Sequence, residues 1–307
     1  MDMADEMQTE TEYTSRGFRA EWLLGGIALL SAALLIAVFV LSLPYMNKED
    51  DPERLVHKNH VNEVTEPTDS EEDIKVLPPA AVPDRNPYGR FDFQYGSNNY
   101  LQCLRQDSYA GVDVSAYQKE IDWQAVRDSG IRFAMIRLGY RGYGEAGRLV
   151  EDEFALKNLE GAAQVGLPIG AYFFSQALNI QEAEEEIAFM LDILGDCSLQ
   201  MPIILDWEIP ADNARTADMD PRTLTDIQLR FCEVMTEKGY TPMVYFNRSQ
   251  ANELLYLTEL EDYPFWLAMY KDRMTYPYQV EMWQYTDRGS VPGITGNVDV
   301  NVYIPKK

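Results

Sequence analysis

Two carboxylate side chains follow one short apolar segment of this 307-residue chain. Residues 201–205 have the composition of a buried strand, and Asp206-Trp207-Glu208 comes directly after them. Because side chains alternate along a strand, Asp206 and Glu208 face one side, with Cα atoms about 6.6 Å apart, and Trp207 faces the other. Carboxyl groups this close raise each other's pKa, and a protonated acid beside an ionised one is what cleavage of a glycosidic bond requires.

The same triplet also fits a purely structural role, because acidic residues at strand ends often cap the next helix or pair with an arginine. The positions of the histidines limit which kinds of active site are possible. His57 and His60 are the only two, and both precede the predicted folded domain. The domain therefore lacks a Ser-His or Cys-His nucleophile and a His-bearing zinc site. Carboxylate acid–base chemistry, an oxygen-ligated ion and binding without catalysis remain; no Asp/Asn-rich loop of regular spacing favours the ion, and we expect no metal or cofactor.

Strand-like apolar runs alternate with helical patterns from Tyr109 onward. The eight candidate strands are 110–114, 133–138, 169–174, 202–205, 243–246, 265–269, 280–283 and 298–300. Helical periodicity is clearest in 180–194 and in 224–235, the latter between Asp220-Pro221 and Gly239. This alternation favours a parallel sheet with right-handed crossovers, closed into a barrel. Because the last three strands lack intervening helices, we predict an α/β fold, a modified TIM-like barrel of five β/α units and three further strands, (β/α)5(β)3.

Polar side chains cluster at the predicted carboxyl ends of these strands, where barrels carry their functional groups. They are Asp113, Arg137, Tyr140, Tyr172, Ser175, Asp206, Glu208, Tyr245, Asn247, Tyr270, 283–285 and Asp299. Each has an ordinary explanation alone, such as capping a turn or pairing with a cation. Four acids at one rim nevertheless predict an active site.

The N-terminal third predicts a membrane anchor and a spacer. Residues 22–45 carry no charge and are long enough to cross a bilayer, whereas a cleavable signal peptide would have a shorter apolar run and a small-residue cleavage site. Arg16 and Arg19 favour a cytoplasmic tail over 1–21. Residues 46–105 are polar and Pro-rich, which predicts a largely disordered extracytoplasmic linker before a catalytic domain over 106–307.

Net charge and cysteine spacing argue against a nucleic-acid-binding protein and a cysteine-ligated metal site. The net charge of −24 argues against nucleic acid, whose phosphates require a basic surface. Cys103, Cys197 and Cys232 show no metal-binding spacing, and their disulfide state stays open. We expect a monomer.

Several ordered motifs over 109–303 resemble glycoside hydrolase family 25, the Chalaropsis-type lysozymes. They are Gly-Val-Asp-Val-Ser at 111–115, Tyr-Gln at 117–118, Ile-Asp-Trp at 121–123, Phe-Ala-Met-Ile-Arg at 133–137, Gly-Ala-Tyr-Phe-Phe at 170–174, Leu-Asp-Trp-Glu at 205–208, Phe-Trp-Leu-Ala-Met-Tyr at 265–270, Trp-Gln-Tyr at 283–285 and Val-Asp-Val-Asn at 298–301. One departure is Phe173, where many members have histidine.

The resemblance implies a barrel of five β/α units and three further strands that cleaves the β-1,4 bond between N-acetylmuramic acid and N-acetylglucosamine in peptidoglycan. It implies that Glu208 is the general acid, that Asp206 stabilises positive charge or orients the substrate's N-acetyl group, and that Asp113 and Asp299 complete the acidic rim. The candidates for sugar binding are Arg137, Tyr172, Tyr245, Trp266, Tyr270, Trp283 and Tyr285.

Two other functions remain open, a non-catalytic peptidoglycan-binding domain and a barrel glycosidase that acts on a chitin-like polymer. Retention through the acetamido group, a direct nucleophile and inversion also remain open, because the sequence gives no distance between carboxyl groups. Tethering favours a role in remodelling the cell's own wall.

Overall fold

The computed structural model describes residues 82–211 and 213–306, which contain a closed barrel of eight strands. The described strands are β1 (Phe93–Tyr95), β2 (Leu101–Cys103), β3 (Tyr109–Val114), β4 (Phe133–Arg141), β5 (Leu149–Glu151), β6 (Ile169–Ser175), β7 (Ile203–Trp207), β8 (Pro242–Asn247), β9 (Phe265–Ala268), β10 (Met282–Gly289) and β11 (Val298–Tyr303). Around the barrel the order is β3-β11-β10-β9-β8-β7-β6-β4, and β4 pairs with β3 to close the ring. The predicted closed barrel is confirmed.

Helices occupy the connections from β3 to β9. The described α-helices are α1 (Trp123–Asp128), α2 (Ala155–Gln164), α3 (Ile180–Leu194), α4 (Pro221–Glu237) and α5 (Arg248–Glu253). The residues that the sequence predicts to begin and end α4 do so in the structure. The side chain of Asp220 accepts from the first backbone N–H groups, Pro221 opens the helix, and Gly239 leaves it at φ +86°. In the described chain, β9, β10 and β11 follow one another without an α-helix.

The last strand runs against its neighbours. β11 is antiparallel to both β10 and β3, whereas the alternation of strands and helices in the sequence predicted a parallel sheet without giving the direction of the last three strands. The cause is the short connection 290–297, which turns the chain back as a hairpin and is too short for a crossover. Asp299 therefore lies near the amino end of β11, opposite Asp113 in the ladder, and still reaches the end of the barrel where the parallel strands finish.

A two-stranded hairpin covers the outer face of the helix-free strands. β1 and β2 pair with each other, and Phe93 and Leu101 are buried. The Phe93 ring meets Trp283 edge to face at 5.2 Å, and the backbone N–H of Leu101 donates to the hydroxyl of Tyr285 at 3.3 Å. Residues 93–103, which precede 106, thus pack against the barrel. The sequence did not predict these strands, because strands of three residues are too short to give a clear periodic signal.

The described chain enters the barrel at its amino-terminal end. Pro83 lines one cavity together with Pro264 and Phe265, where β9 begins, and Gln279 N donates to Asp84 O at 2.8 Å. None of the helices in 82–211 and 213–306 has the length and apolarity to cross a bilayer. The predicted tail (1–21) and membrane helix (22–45) lie outside the described residues.

Candidate active site

The acidic pair lies at the carboxyl end of β7. Asp206 and Glu208 are 7% and 8% exposed, so both are nearly buried but still reach solvent. Trp207 points to the other face, where its indole N–H donates to the carbonyl of Ala177 at 2.9 Å. Oε1 of Glu208 accepts a 2.9 Å hydrogen bond from the hydroxyl of Tyr245 on the neighbouring strand β8.

The backbone beside the acidic pair is held by side chains from three other segments. Gln176, which follows β6, donates from Nε2 to the carbonyl of Glu208 at 2.6 Å, and the hydroxyl of Thr216 donates to the same carbonyl at 3.2 Å. Gln250 of α5 donates to the carbonyl of Trp207 at 2.6 Å. These bonds satisfy buried carbonyl groups just where the strand ends, so the position of the Glu208 side chain is defined by its backbone.

Two further carboxylates meet across the β3–β11 ladder. Nε2 of Gln284 donates to both oxygens of Asp113 at 3.0 and 3.1 Å and to Oδ2 of Asp299 at 3.1 Å. Asn301 donates to Oδ2 of Asp113 at 2.6 Å and accepts from the indole N–H of Trp266 at 2.8 Å. Amide donors therefore lie between two carboxylates that would otherwise repel each other.

Two tyrosine hydroxyls connect the acidic groups. Burial, with Glu208 as the next largest cause, raises the pKa of Tyr245 well above its ordinary value. Burial, followed by Asp299 and Glu208, does the same to the pKa of Tyr270. Both hydroxyls also contact Oε1 of Gln284, from 3.4 Å and 3.2 Å respectively. The two phenols thus stay protonated and act as donors at neutral pH.

The structure brings most of the sequence-predicted site residues together. Asp113, Asp206, Glu208, Tyr245, Tyr270 and Asp299 form one cluster at the rim. Tyr172 and Trp266 belong to the apolar layer inside the barrel. Arg137 is 1% exposed, and its Nε donates to Asp152 at 2.8 Å.

Trp283 and Tyr285 are not brought to this cluster. They alternate with Gln284 along β10 and pack in the outer core beneath the β1–β2 hairpin. We therefore correct their prediction as sugar-binding residues. Phe173 likewise faces the helices, with its ring 6.1 Å from that of Phe189, so the departure from the family pattern lies away from the carboxylates.

Sequence reasoning placed residues 283–285 at the rim without assigning a role to Gln284, and it missed Asn301 as a member of the site. The missed signal is alternation, because Asn301 is two residues from Asp299 and must share its face of β11. Gln284 lies inside the Trp-Gln-Tyr motif, in which the prediction assigned a role only to the two aromatic residues. Within residues 82–211 and 213–306, no group of three or more His, Cys, Asp or Glu side chains could hold a metal ion.

Comparison with known proteins gives a consistent result. The family model of glycosyl hydrolases family 25 matches residues 112–294. The uncharacterized protein YegX of Escherichia coli K12 is 32% identical over 209 residues, which cover 63% of this chain and 68% of YegX. The autolytic lysozyme of Clostridium acetobutylicum is 25% identical over 196 residues, 63% of this chain and 55% of that protein.

A solved structure is similar in fold. The modular autolysin LytC of Streptococcus pneumoniae, in complex with a synthetic peptidoglycan ligand, superposes with a TM-score of 0.58 at 24% identity, over 69% of this chain and 52% of LytC. The chain thus spans about half the length of that autolysin. Since the family model spans more than half of the chain and its motifs form the carboxylate rim of a closed barrel, this protein belongs to glycosyl hydrolases family 25.

Proposed function

We propose that this protein is a lysozyme-type hydrolase that cleaves the β-1,4 bond between N-acetylmuramic acid and N-acetylglucosamine in peptidoglycan. The observation that carries the proposal is Glu208, a nearly buried carboxyl group hydrogen-bonded to Tyr245 at 2.9 Å and surrounded by further carboxylates at the rim of the barrel. Family membership and the similarity to an autolytic lysozyme support the choice of substrate.

Glu208 is the general acid and base. Its proton passes to the glycosidic oxygen as the bond from that oxygen to the anomeric carbon breaks. Its carboxylate then takes a proton from the water molecule that attacks the anomeric carbon, which restores the acid. Tyr245 keeps Oε1 of Glu208 in place between the two steps.

Asp206 acts on the sugar and not on the leaving group. It is the penultimate residue of β7 and lies on the same face as Glu208, beside the acid. In this proposal the acetamido oxygen of the substrate attacks the anomeric carbon, and Asp206 accepts the acetamido N–H and stabilises the positive charge of the cyclic intermediate. The product then keeps its anomeric configuration.

Asp113 and Asp299 extend the negative rim that stabilises an oxocarbenium-like transition state. Tyr270 is partly exposed beside them, and we propose that it contacts the sugar. Tyr172 and Trp266 support the floor of the site from the apolar layer inside the barrel.

The proposal includes a location. The uncharged segment 22–45 supports anchoring in the cell membrane by a single pass, with the N-terminus cytoplasmic and the hydrolase domain outside. The domain then acts as a monomer on the cell's own wall.

The test uses the full-length chain with purified peptidoglycan. New reducing ends are reduced with borohydride and identified by mass spectrometry, and NMR gives the anomer that forms first. Muramic acid at the new end with the β anomer first is the expected result. Glucosamine at that end contradicts the proposed bond, and binding to peptidoglycan without new ends identifies a binding domain. Release of ends from chitin but not from peptidoglycan identifies a chitin-type glycosidase.

The variant Glu208→Gln is the matched control, since it keeps the size of the side chain. We expect turnover to fall by about 10²–10⁴-fold, the usual contribution of a general acid, with an unchanged thermal unfolding curve. Hydrolysis by this variant at the normal rate would remove Glu208 from the mechanism.

A further inference from the structure

The hydroxyl of Tyr245 lies between two acceptors. It is 2.9 Å from Oε1 of Glu208 and 3.4 Å from Oε1 of Gln284. A phenol has one proton, so it donates to one of these oxygens at a time. The shorter contact is within the normal distance range of an O–H···O hydrogen bond, and the longer one is outside it. The structure therefore shows the state in which Tyr245 donates to Glu208.

The orientation of the Gln284 amide is set by its other neighbours. Its nitrogen faces Asp113 at 3.0 and 3.1 Å and Asp299 at 3.1 Å, and ionised carboxylates can only accept. Its oxygen must then face Tyr245 and Tyr270, which can donate. A flipped amide would place oxygen against oxygen at both aspartates.

Protonation of Glu208 on Oε1 reverses the direction of the hydrogen bond, whereas a proton on Oε2 leaves Oε1 as an acceptor. The O–H on Oε1 needs an acceptor, and the oxygen of Tyr245 can accept only if the phenol turns its own proton elsewhere. Oε1 of Gln284 is the acceptor within reach. The phenol O–H rotates about its C–O bond, so no covalent bond breaks and Tyr245 stays neutral in both states.

We propose that Gln284 is a positioning residue that stabilises the form of Glu208 protonated on Oε1, by offering its carbonyl oxygen as the alternative acceptor for the Tyr245 hydroxyl. This rests on the proposed role of Glu208 as the acid. In this arrangement one side chain both separates Asp113 from Asp299 and keeps the proton of the catalytic acid available.

Other charges act on the same groups and have to be separated from this effect. The acidic and phenolic side chains around Tyr245 and Tyr270 are Asp113, Asp206, Glu208, Asp287 and Asp299 together with the two tyrosines themselves. On β4, Arg137 is paired with Asp152. Like charges favour a protonated carboxyl whether or not Tyr245 is present, whereas the effect of Gln284 passes through the Tyr245 hydroxyl.

The test is a double-mutant cycle read by titration. The full-length chain carries ¹³C in its glutamate carboxyl groups, and the Glu208 signal is assigned by its loss in Glu208→Gln. Gln284→Met is compared with the parent, once with Tyr245 present and once in the Tyr245→Phe background. With Tyr245 present, Gln284→Met should lower the titration midpoint of Glu208 by roughly half to one pH unit, the shift that one lost hydrogen bond produces.

In the Tyr245→Phe background the same substitution should shift the midpoint by less than half as much. Equal shifts in the two backgrounds would mean that Gln284 acts only through Asp113 and Asp299, and no shift in either would also overturn the proposal. Should Gln284→Met fail to fold, Gln284→Asn keeps an amide on the strand but withdraws it from the phenols, and the same comparison applies.

The titration needs no substrate, so it separates this proposal from the proposed function. A chain that shows the coupling but does not hydrolyse peptidoglycan refutes the function alone. In an active chain, the alkaline limb of the kcat/KM profile should move to lower pH with the midpoint of Glu208.

Discussion

The hydroxyl of Tyr245 reaches across from β8 to donate a 2.9 Å hydrogen bond to Oε1 of Glu208. Its ring is itself held from β9, where Trp266 meets it edge to face at 5.0 Å. Three neighbouring segments of the barrel thus define the position of one carboxyl oxygen. In the proposed mechanism Glu208 carries charge during the reaction, and hydrogen bonds to charged groups are stronger than those between neutral partners.

Removal of this hydroxyl should slow the chemical step. For Tyr245→Phe we expect kcat to fall about 10–100-fold with little change in KM, because a hydrogen bond to a charged group contributes roughly 1.5–3 kcal/mol. Steady-state kinetics on soluble peptidoglycan fragments measure it. Tyr109→Phe, an exposed position at the opposite end of the barrel, is the control and should leave kcat unchanged. An equal loss in both variants would contradict a specific role for Tyr245.

Replacement of Asn301 tests the amide donors that separate the carboxylates. In Asn301→Asp, a carboxylate oxygen, which can only accept, replaces the amide nitrogen that donates to Asp113 at 2.6 Å. The two buried like charges should lower the free energy of unfolding by about 2–4 kcal/mol. Urea denaturation at pH 7 measures the loss. The loss should shrink at pH 4, where one of the two groups can take a proton and donate.

Asn297→Asp adds the same charge at an exposed position on the connection before β11 and should cost less than about 0.5 kcal/mol. If Asn301→Asp were as stable as this control, Asn301 would not be needed to keep Asp113 in place.

The β1–β2 hairpin should be needed for stability. A chain that starts at residue 106 loses the buried side chains of Phe93, Tyr100 and Leu101 and uncovers Trp283. Each of these side chains contributes about 1.5–3 kcal/mol when buried, so the melting temperature should fall by roughly 10 °C or more relative to a chain that starts at residue 82. Calorimetry on the two fragments compares them, and equal melting temperatures would show that the barrel does not depend on the hairpin.

A buried ion pair outside the site predicts a pH dependence of stability. Glu186 accepts from Nε of Arg141 at 2.7 Å and from the hydroxyl of Ser175 at 2.6 Å, yet burial raises its pKa to about 7. Because the folded-state pKa lies above the unfolded value near 4.5, the folded chain holds the proton more tightly. The stabilisation is complete below about pH 4.5 and is lost as the pH rises through about 7, by roughly 3 kcal/mol.

Glu186→Gln should remove this slope, as measured by the difference in free energy of unfolding between parent and variant from pH 4.5 to 8. Glu237→Gln, at the exposed end of α4, should leave the slope in place. If the difference in free energy of unfolding between the parent and Glu186→Gln does not change with pH, Glu186 remains ionised throughout this range.

Most strands of the barrel could be predicted because they contain an apolar run that ends at a polar residue, as 201–205 does before Asp206. β11 differs, since it alternates as Val-Asp-Val-Asn-Val. The direction of β11 could not be predicted, since a strand reads the same in both orientations and only the short connection 290–297 reveals the reversal. The hairpin was missed because Phe93 and Leu101 stand among polar residues and glycine. Side-chain partners such as Gln284 depend on contacts between distant strands, which no local pattern contains.

The entry of the chain beside Pro83 places its point of attachment at the end of the barrel opposite Glu208. Of the described residues, Pro83 and Asp84 lie beside the start of β9, so the described chain meets the barrel at the end away from the carboxylate rim. A load applied to the described chain at Pro83 would therefore act on the amino-terminal end of the strands and not on Glu208.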